Sequence, residues 1–274
     1  MKLAGKVALI TGAGRGAGQA LALKLASEGA SVVVNDIDQS AVDETIAAIA
    51  SRGGRALGCT GDVTDPTFPD RFVQCALSEF GGLDIIVNNA GYPWANPIEA
   101  VTDAQFQTML DVHVTAPFRL LRAAGPTIRR FAEAEAAEGR EVFRKVVNVS
   151  SMAGIGGAAG LIGYASAKAA LVGMTKTLAK EWGALKVNVN CVAFGFIRTR
   201  LSQPVTGPTT IDVGANTVPV GVPAESVRAL ESQMIPLGRG GSPEEAAGGV
   251  YLFCIPESDY VTGQVVVVGG GLAF

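Results

Sequence analysis

Short apolar runs and amphipathic stretches alternate along this chain from end to end. Val7-Ala8-Leu9-Ile10, Val32-Val33-Val34, Asp84-Ile85-Ile86-Val87, Val146-Val147-Asn148-Val149, 187–192 and 265–268 read as strands, and 56–60 as a weaker one. Most are unbroken, not alternating. A strand with one wetted face alternates apolar and polar residues; an unbroken run is buried on both faces, as in a parallel sheet covered by helices. The stretches at 19–28, 40–51, 71–80, 103–124 and 163–182 read as those helices. Another starts with Ser242 as N-cap and Pro243 at its first position. The expectation is an α/β fold, a doubly wound, Rossmann-like parallel sheet of about seven strands in three layers.

No linker or repeat interrupts the alternation, so residues 1–274 read as a single domain. Two stretches stand apart. Residues 131–142 are charged and Ala-rich and read as a solvated helix extension. Residues from about 199 to 234 are rich in proline and glycine with weak periodicity, which predicts a lid.

Composition removes several function classes. One histidine, His113, excludes a His-rich zinc site and any HExxH enzyme, so no metal is expected. Four cysteines without a CxxC pair make no disulfide scaffold. A net charge of −3 and no basic stripe argue against a nucleic-acid partner. No apolar run approaches the ~18 residues of a membrane span. The N-terminal apolar stretch is broken by Lys6, so it makes a poor signal peptide. A cytoplasmic protein is expected.

The chemistry starts at the first turn. Thr11-Gly12-Ala13-Gly14-Arg15-Gly16-Ala17-Gly18 joins the first strand to the first helix. Glycines there let the backbone approach a pyrophosphate, and the helix N-terminus supplies N–H donors. Asp36 ends the next strand, where a carboxylate binds the adenosine ribose hydroxyls of NAD and repels the extra phosphate of NADP. Arg15 leans the other way, towards a 2′-phosphate, but position 37 is Ile, and no second basic partner follows. NAD is the favoured cofactor and NADP the alternative. Farther on, Tyr164 and Lys168 stand at i and i+4 on one helix face. A nearby cation lowers a phenol's pKa and lets it exchange a proton with a carbonyl or an alcohol. Ser151 ends the strand before that helix, on the side where such sheets bind ligands.

With these residues in view, the chain resembles the short-chain dehydrogenases/reductases over nearly its whole length. Gly12, Gly16 and Gly18 match the family's TGxxxGxG cofactor motif. Asp62-Val63 matches the pair that flanks adenine, and Asn88-Asn89-Ala90-Gly91 its NNAG motif, which lines the cofactor. Ser151, Tyr164 and Lys168 fall on the catalytic serine, tyrosine and lysine. Ile197 and Thr199 fall where members hold the nicotinamide carboxamide. The resemblance implies that Tyr164 is general acid in reduction and base in oxidation. It implies that Lys168 tunes Tyr164 and holds the nicotinamide ribose, and that Ser151 bonds the substrate oxygen. It also implies a homo-oligomer, commonly a tetramer.

Two positions depart from the family pattern. His113 stands where many members have an asparagine that relays protons to the lysine. A histidine exchanges protons near neutral pH, so His113 reads as a substitute relay, against a packed helix residue without a role. Ala193-Phe194-Gly195 replaces the usual Pro-Gly. Tyr92, Trp94, Met152, Ile155, Leu161 and Phe196 fall on the substrate pocket by family position, and they favour a hydrophobic ketone or secondary alcohol. Overall similarity points to the 3-oxoacyl-thioester reductase and hydroxyacyl dehydrogenase branch. The rivals are a non-catalytic dinucleotide sensor, a lyase or epimerase with bound NAD, and an NADP-dependent biosynthetic reductase.

Overall fold

The computed structural model describes residues 1–207, 209–214 and 216–272. Pro208 and Ala215, which belong to the expected lid, and residues 273–274 lie outside the described residues. The strands are β1 (Val7–Ile10), β2 (Ser31–Val34), β3 (Arg55–Gly58), β4 (Ile85–Asn88), β5 (Arg144–Ser151), β6 (Val187–Phe194), β7 (Pro204–Val205), β8 (Thr210–Val213), β9 (Asn216–Pro219), β10 (Val222–Pro223) and β11 (Val265–Val268). The helices are α1 (Gly16–Ser27), α2 (Gln39–Ala50), α3 (Phe68–Phe80), α4 (Asp103–Leu110), α5 (Ala116–Ala137), α6 (Ala153–Gly156), α7 (Ile162–Glu181), α8 (Ala224–Ala229) and α9 (Pro243–Tyr251).

Seven strands form one sheet in the order β11-β6-β5-β4-β1-β2-β3, every neighbour parallel. The period of two along each strand sends alternate residues to opposite helical layers. Ala8 and Ile10 join Leu21, Leu25, Val42, Ile49 and Val250 on one face. Val7 and Leu9 join Phe68, Phe72, Leu120, Leu121, Ile128 and Trp182 on the other. This is the expected three-layer, doubly wound sheet. The strand order reverses between β1 and β4, and the carboxyl ends of those strands form the crevice in which such sheets take ligands.

Two stretches differ from the sequence reading. The long helix does not stop near 124; α5 runs to Ala137, with Leu120, Leu121, Ala124 and Ile128 buried along one face. Its charged end is not simply solvated. Glu135 takes two hydrogen bonds from the Arg144 guanidinium, each 2.7 Å, and Arg144 is 4% exposed at the start of β5. We expect Glu135→Ala to cost about 3–5 kcal/mol in urea unfolding, because it strands a buried cation. Glu135→Gln, which keeps an acceptor, recovers part of that loss.

The region from 199 to 234 is not a bare loop. It holds the antiparallel hairpin β8–β9, the short parallel pair β7–β10, and α8 running into a π-turn, Leu230–Met234. Its short strands carry Pro204, Pro219 and Pro223, which mask a strand signal in sequence.

Candidate active site

The cradle is built at the switch point. Thr11 Oγ1 accepts hydrogen bonds from Asn89 N and Ala90 N, both at 3.0 Å. The Asn89 amide donates back to Thr11 O at 2.9 Å and Gly12 O at 3.0 Å. β1 and β4 are thus laced at their carboxyl ends. A Cβ on Gly12 would lie 2.7 Å from Ala90 Cα, and one on Gly18 would lie 2.1 Å from Gly12 O. Gly12 and Gly16 also hold φ of 62° and 56°. Only glycine fits this turn, and the turn opens directly into α1. Close backbone, a helix start and a carboxylate at the end of β2 are what a dinucleotide needs, so the residues fit that cofactor.

Asp36 reaches the same turn, its Oδ2 taking a hydrogen bond from Gly14 N at 3.1 Å. Arg15 points away from that role. Its guanidinium pairs with Asp38 at 2.8 Å. Asp38 caps α2 through Ser40 N and Ala41 N, and Arg15 with Ser40 holds its carboxyl down at about 2. Asp38 is a partner that the sequence reading missed, although an aspartate two residues before Ser40 is a readable cap. Asn35 was missed as well: its amide holds Cys59 O and Gly61 O, at 3.1 and 2.9 Å, fixing the segment that carries Asp62 and Val63. Asp62 Oδ1 accepts from Thr64 N at 2.8 Å, and Val63 is packed against the α3 layer.

Ser151 ends β5 and Tyr164 sits in the first turn of α7. Burial raises the Tyr164 pKa, and the Ser151 hydroxyl opposes that only in part. The expected lowering by Lys168 is therefore not seen. The reason is geometric: Lys168 Nζ donates to Val149 O at 2.7 Å and stands 5.7 Å from the Tyr164 ring centroid. Lys168 itself is buried, which brings it down to about 8.

His113 does lie at the site. It occupies a π-turn, Asp111–Thr115, between α4 and α5. Its ring meets the Tyr164 ring edge-on, 5.1 Å between centroids. His113 Nε2 bonds Tyr92 O at 3.0 Å. A carbonyl only accepts, so Nε2 carries the hydrogen and Nδ1 is bare. Nδ1 is buried and has no partner among the described residues. Burial first, and then the Lys168 charge, push the His113 pKa well below its usual value. This corrects one expectation: His113 is held neutral and does not titrate near neutral pH. What it offers is a lone pair.

The remaining residues divide. Tyr92 and Trp94 pack with Tyr164, Met109 and the lid residues Leu201, Ile211, Val213 and Val218. Met152 and Phe196 pack apart from them, with Leu230, Ile235 and Leu272. Ile155 is exposed and Leu161 half-buried. Ile197 pairs with Gly241, and Thr199 lies within 3.6 Å of where a Gly16 Cβ would stand, so the base of the lid closes on the cradle. Phe194 joins the core on the α1 side of the sheet. No group of three His, Cys, Asp or Glu able to hold a metal occurs among the described residues, and none of their helices is long and apolar enough to cross a membrane.

Comparison with known proteins agrees with this geometry. The short chain dehydrogenase profile matches residues 6–208. The short-chain reductase protein NovJ of Streptomyces niveus is 38% identical, over 97% of this chain and 93% of its own length. The (2S)-((R)-hydroxy(phenyl)methyl)succinyl-CoA dehydrogenase subunit BbsD of Thauera aromatica is 34% identical over 99% and 98%. The 3-oxoacyl-(acyl-carrier-protein) reductase FabG of Thermotoga maritima is 33% identical over 99% of each. Among solved structures, a mutant short-chain dehydrogenase/reductase of Serratia marcescens superposes with a TM-score of 0.81 at 30% identity, covering 99% of each chain.

Proposed function

Because the chain belongs to the short-chain dehydrogenase family, and is thus an NAD(P)-dependent oxidoreductase, we propose that it moves a hydride between NAD and a hydrophobic ketone or secondary alcohol, 3-oxoacyl thioesters included. The observation that carries this reading is Tyr164 and buried Lys168 one turn apart on α7, the Lys168 Nζ 5.7 Å from the Tyr164 ring centroid, with Ser151 at the carboxyl end of β5. The nicotinamide, when bound, supplies or accepts the hydride at the substrate carbon. Tyr164 gives its phenolic proton to the substrate oxygen in reduction and takes it back in oxidation. Ser151 donates to that same oxygen and so fixes its place. Lys168, anchored on Val149 O, keeps a positive charge near the developing phenolate and reaches the cofactor ribose. The bare Nδ1 of His113 can accept a hydrogen bond and so orient a donor beside Tyr164, but it passes no proton on, because Nε2–H ends on the Tyr92 carbonyl.

Gly12, Gly16, Gly18, Asn89, Ala90 and Gly91 would hold the pyrophosphate and its flanks, Asp62 and Val63 the adenine, and Ile197 and Thr199 the carboxamide. NAD is favoured over NADP because the Arg15 guanidinium is engaged by Asp38, and Asp36 makes no ion pair among the described residues. We expect Asp36→Asn to weaken NADH binding by about 10- to 150-fold, the loss of one charge-assisted hydrogen bond of ~1.5–3 kcal/mol. The same change should improve NADPH binding. Fluorescence titration with both cofactors checks it.

The apolar wall of Tyr92, Trp94, Ile211 and Val213 supports a hydrophobic substrate, and BbsD and FabG act on thioesters by name. The test is loss of NADH absorbance with a panel of ketones and 3-oxoacyl thioesters. Turnover confined to small charged carbonyls contradicts the proposal. A homo-oligomer, expected as a tetramer, is consistent with the exposed Val266 and Val267 of the edge strand β11; light scattering decides it.

A further inference from the structure

The hairpin β8–β9 lies across the groove as a strap. Its base is fixed: Val220 N donates to Thr209 O and Gly221 N to Leu201 O, both at 2.9 Å. At one wall Val218 is completely buried among Tyr92, Met109, Val112 and Ala167. At the other wall the turn meets the adenosine end. A Cβ on Gly214 would lie 3.5 Å from Ile37 Cδ1 and 3.9 Å from Asp62 Oδ2. One short hairpin therefore touches the catalytic cluster and the adenine-side residues at once.

The position of Ile37 gives this contact its meaning. Asp36 is the carboxylate for the ribose hydroxyls, and a 2′-phosphate on that ribose projects past Asp36 towards its neighbours. The Arg15 guanidinium on that side is paired, and the strap's turn rests on Ile37. We propose that the strap formed by β8, Gly214 and β9 is a cofactor-specificity element: it closes over the adenosine of NAD, and a 2′-phosphate props it open. This rests on the NAD reading above and extends it from Asp36 to a segment of the lid. Because Val218 and Ile211, paired across the hairpin, pack on the Tyr92–Tyr164 side, the same closure completes the apolar wall over the substrate.

The experiment reads binding, not turnover. Hydrogen exchange of 210–219 in the whole protein is followed alone, with NADH and with NADPH at saturation. NADH should protect the segment and NADPH should not; equal protection by both overturns the proposal. In parallel, Kd for each cofactor is measured by fluorescence on a shortened variant, with 210–219 replaced by Asn-Gly, which the adjacent Thr209 and Val220 allow. Its preference for NADH over NADPH should fall at least about fivefold, the lower edge of ordinary coupling between sites. Val218→Ser, which loosens the strap and keeps its length, should shift the ratio the same way. If the wild-type protein prefers NADH and both variants keep that preference, the strap has no part and Asp36 alone discriminates. If the wild-type protein shows no preference, the NAD reading itself fails and the strap proposal with it.

Discussion

Tyr164→Phe should lower turnover by about 10²–10⁴-fold, the range for one positioned acid–base group, and leave NADH affinity unchanged. Phenylalanine keeps the ring against His113 and Ala167 and removes only the hydroxyl. A pH profile in both directions adds a signed check. Burial raises the Tyr164 pKa, so the phenol stays protonated through neutrality and reduction should be nearly flat there. Oxidation needs the phenolate, so its kcat/KM should climb with pH. Lys168 loses its charge above about 8, but it is anchored on Val149 O and does not set the Tyr164 pKa, so the climb should continue through that point. A Phe variant that keeps most of its activity, or an oxidation rate that falls from pH 6 to 8 (limits chosen about the ordinary neutral range), would remove Tyr164 from the proton step.

The central sheet was legible because burial on both faces leaves a local mark. Four-residue apolar runs such as Val7–Ile10 mark strands buried on both faces, with the edge run Val265–Val268, half exposed, as the exception, and their alternation with helices admits few topologies. The cradle was legible for a related reason: Gly12 and Gly18 are glycine because another backbone occupies the space of a Cβ, a requirement that residue identity alone displays. What stayed hidden depends on pairs distant in sequence. Nothing local says that Arg15 will spend its charge on Asp38, or that Glu135 will receive Arg144. The lid strands were hidden by Pro219 in the hairpin and by Pro204 and Pro223 in the β7–β10 pair, prolines tolerated because these strands pair only at edges. His113 was placed at the site by the family resemblance, but its charge state was misread. A pKa near neutral belongs to a solvated imidazole, and this ring is enclosed by Gly91, Tyr92 and Tyr164 beside a buried lysine.

That enclosure leads to the second large expected effect, Gly91→Ala. A Cβ at Gly91 would lie 2.1 Å from His113 Cε1 and 2.5 Å from its Nδ1. The ring cannot step aside freely: Nε2 is tied to Tyr92 O, and the far edge abuts Tyr164. Overpacking of this kind costs about 1–3 kcal/mol in stability, and here the strain falls on the residue that positions the tyrosine. A misplacement of ~1 Å at a reacting group costs on the order of 10²-fold in rate, so kcat should fall far more than stability does. The partner variant assigns the cause. His113→Ala removes the clash, so the double variant should be less unstable than the two single losses added, by about 0.5–3 kcal/mol of coupling. The relief should be incomplete, because Gly91 also holds a φ of 155° that a side chain disfavours wherever the ring lies. If the two losses simply add, the glycine is required by its backbone conformation alone, and His113 is not what it makes room for. Coupling in stability with no recovery of turnover gives the more informative result. The ring would then be shown to act on Tyr164 through its bare Nδ1 or its packing, a function that alanine cannot restore.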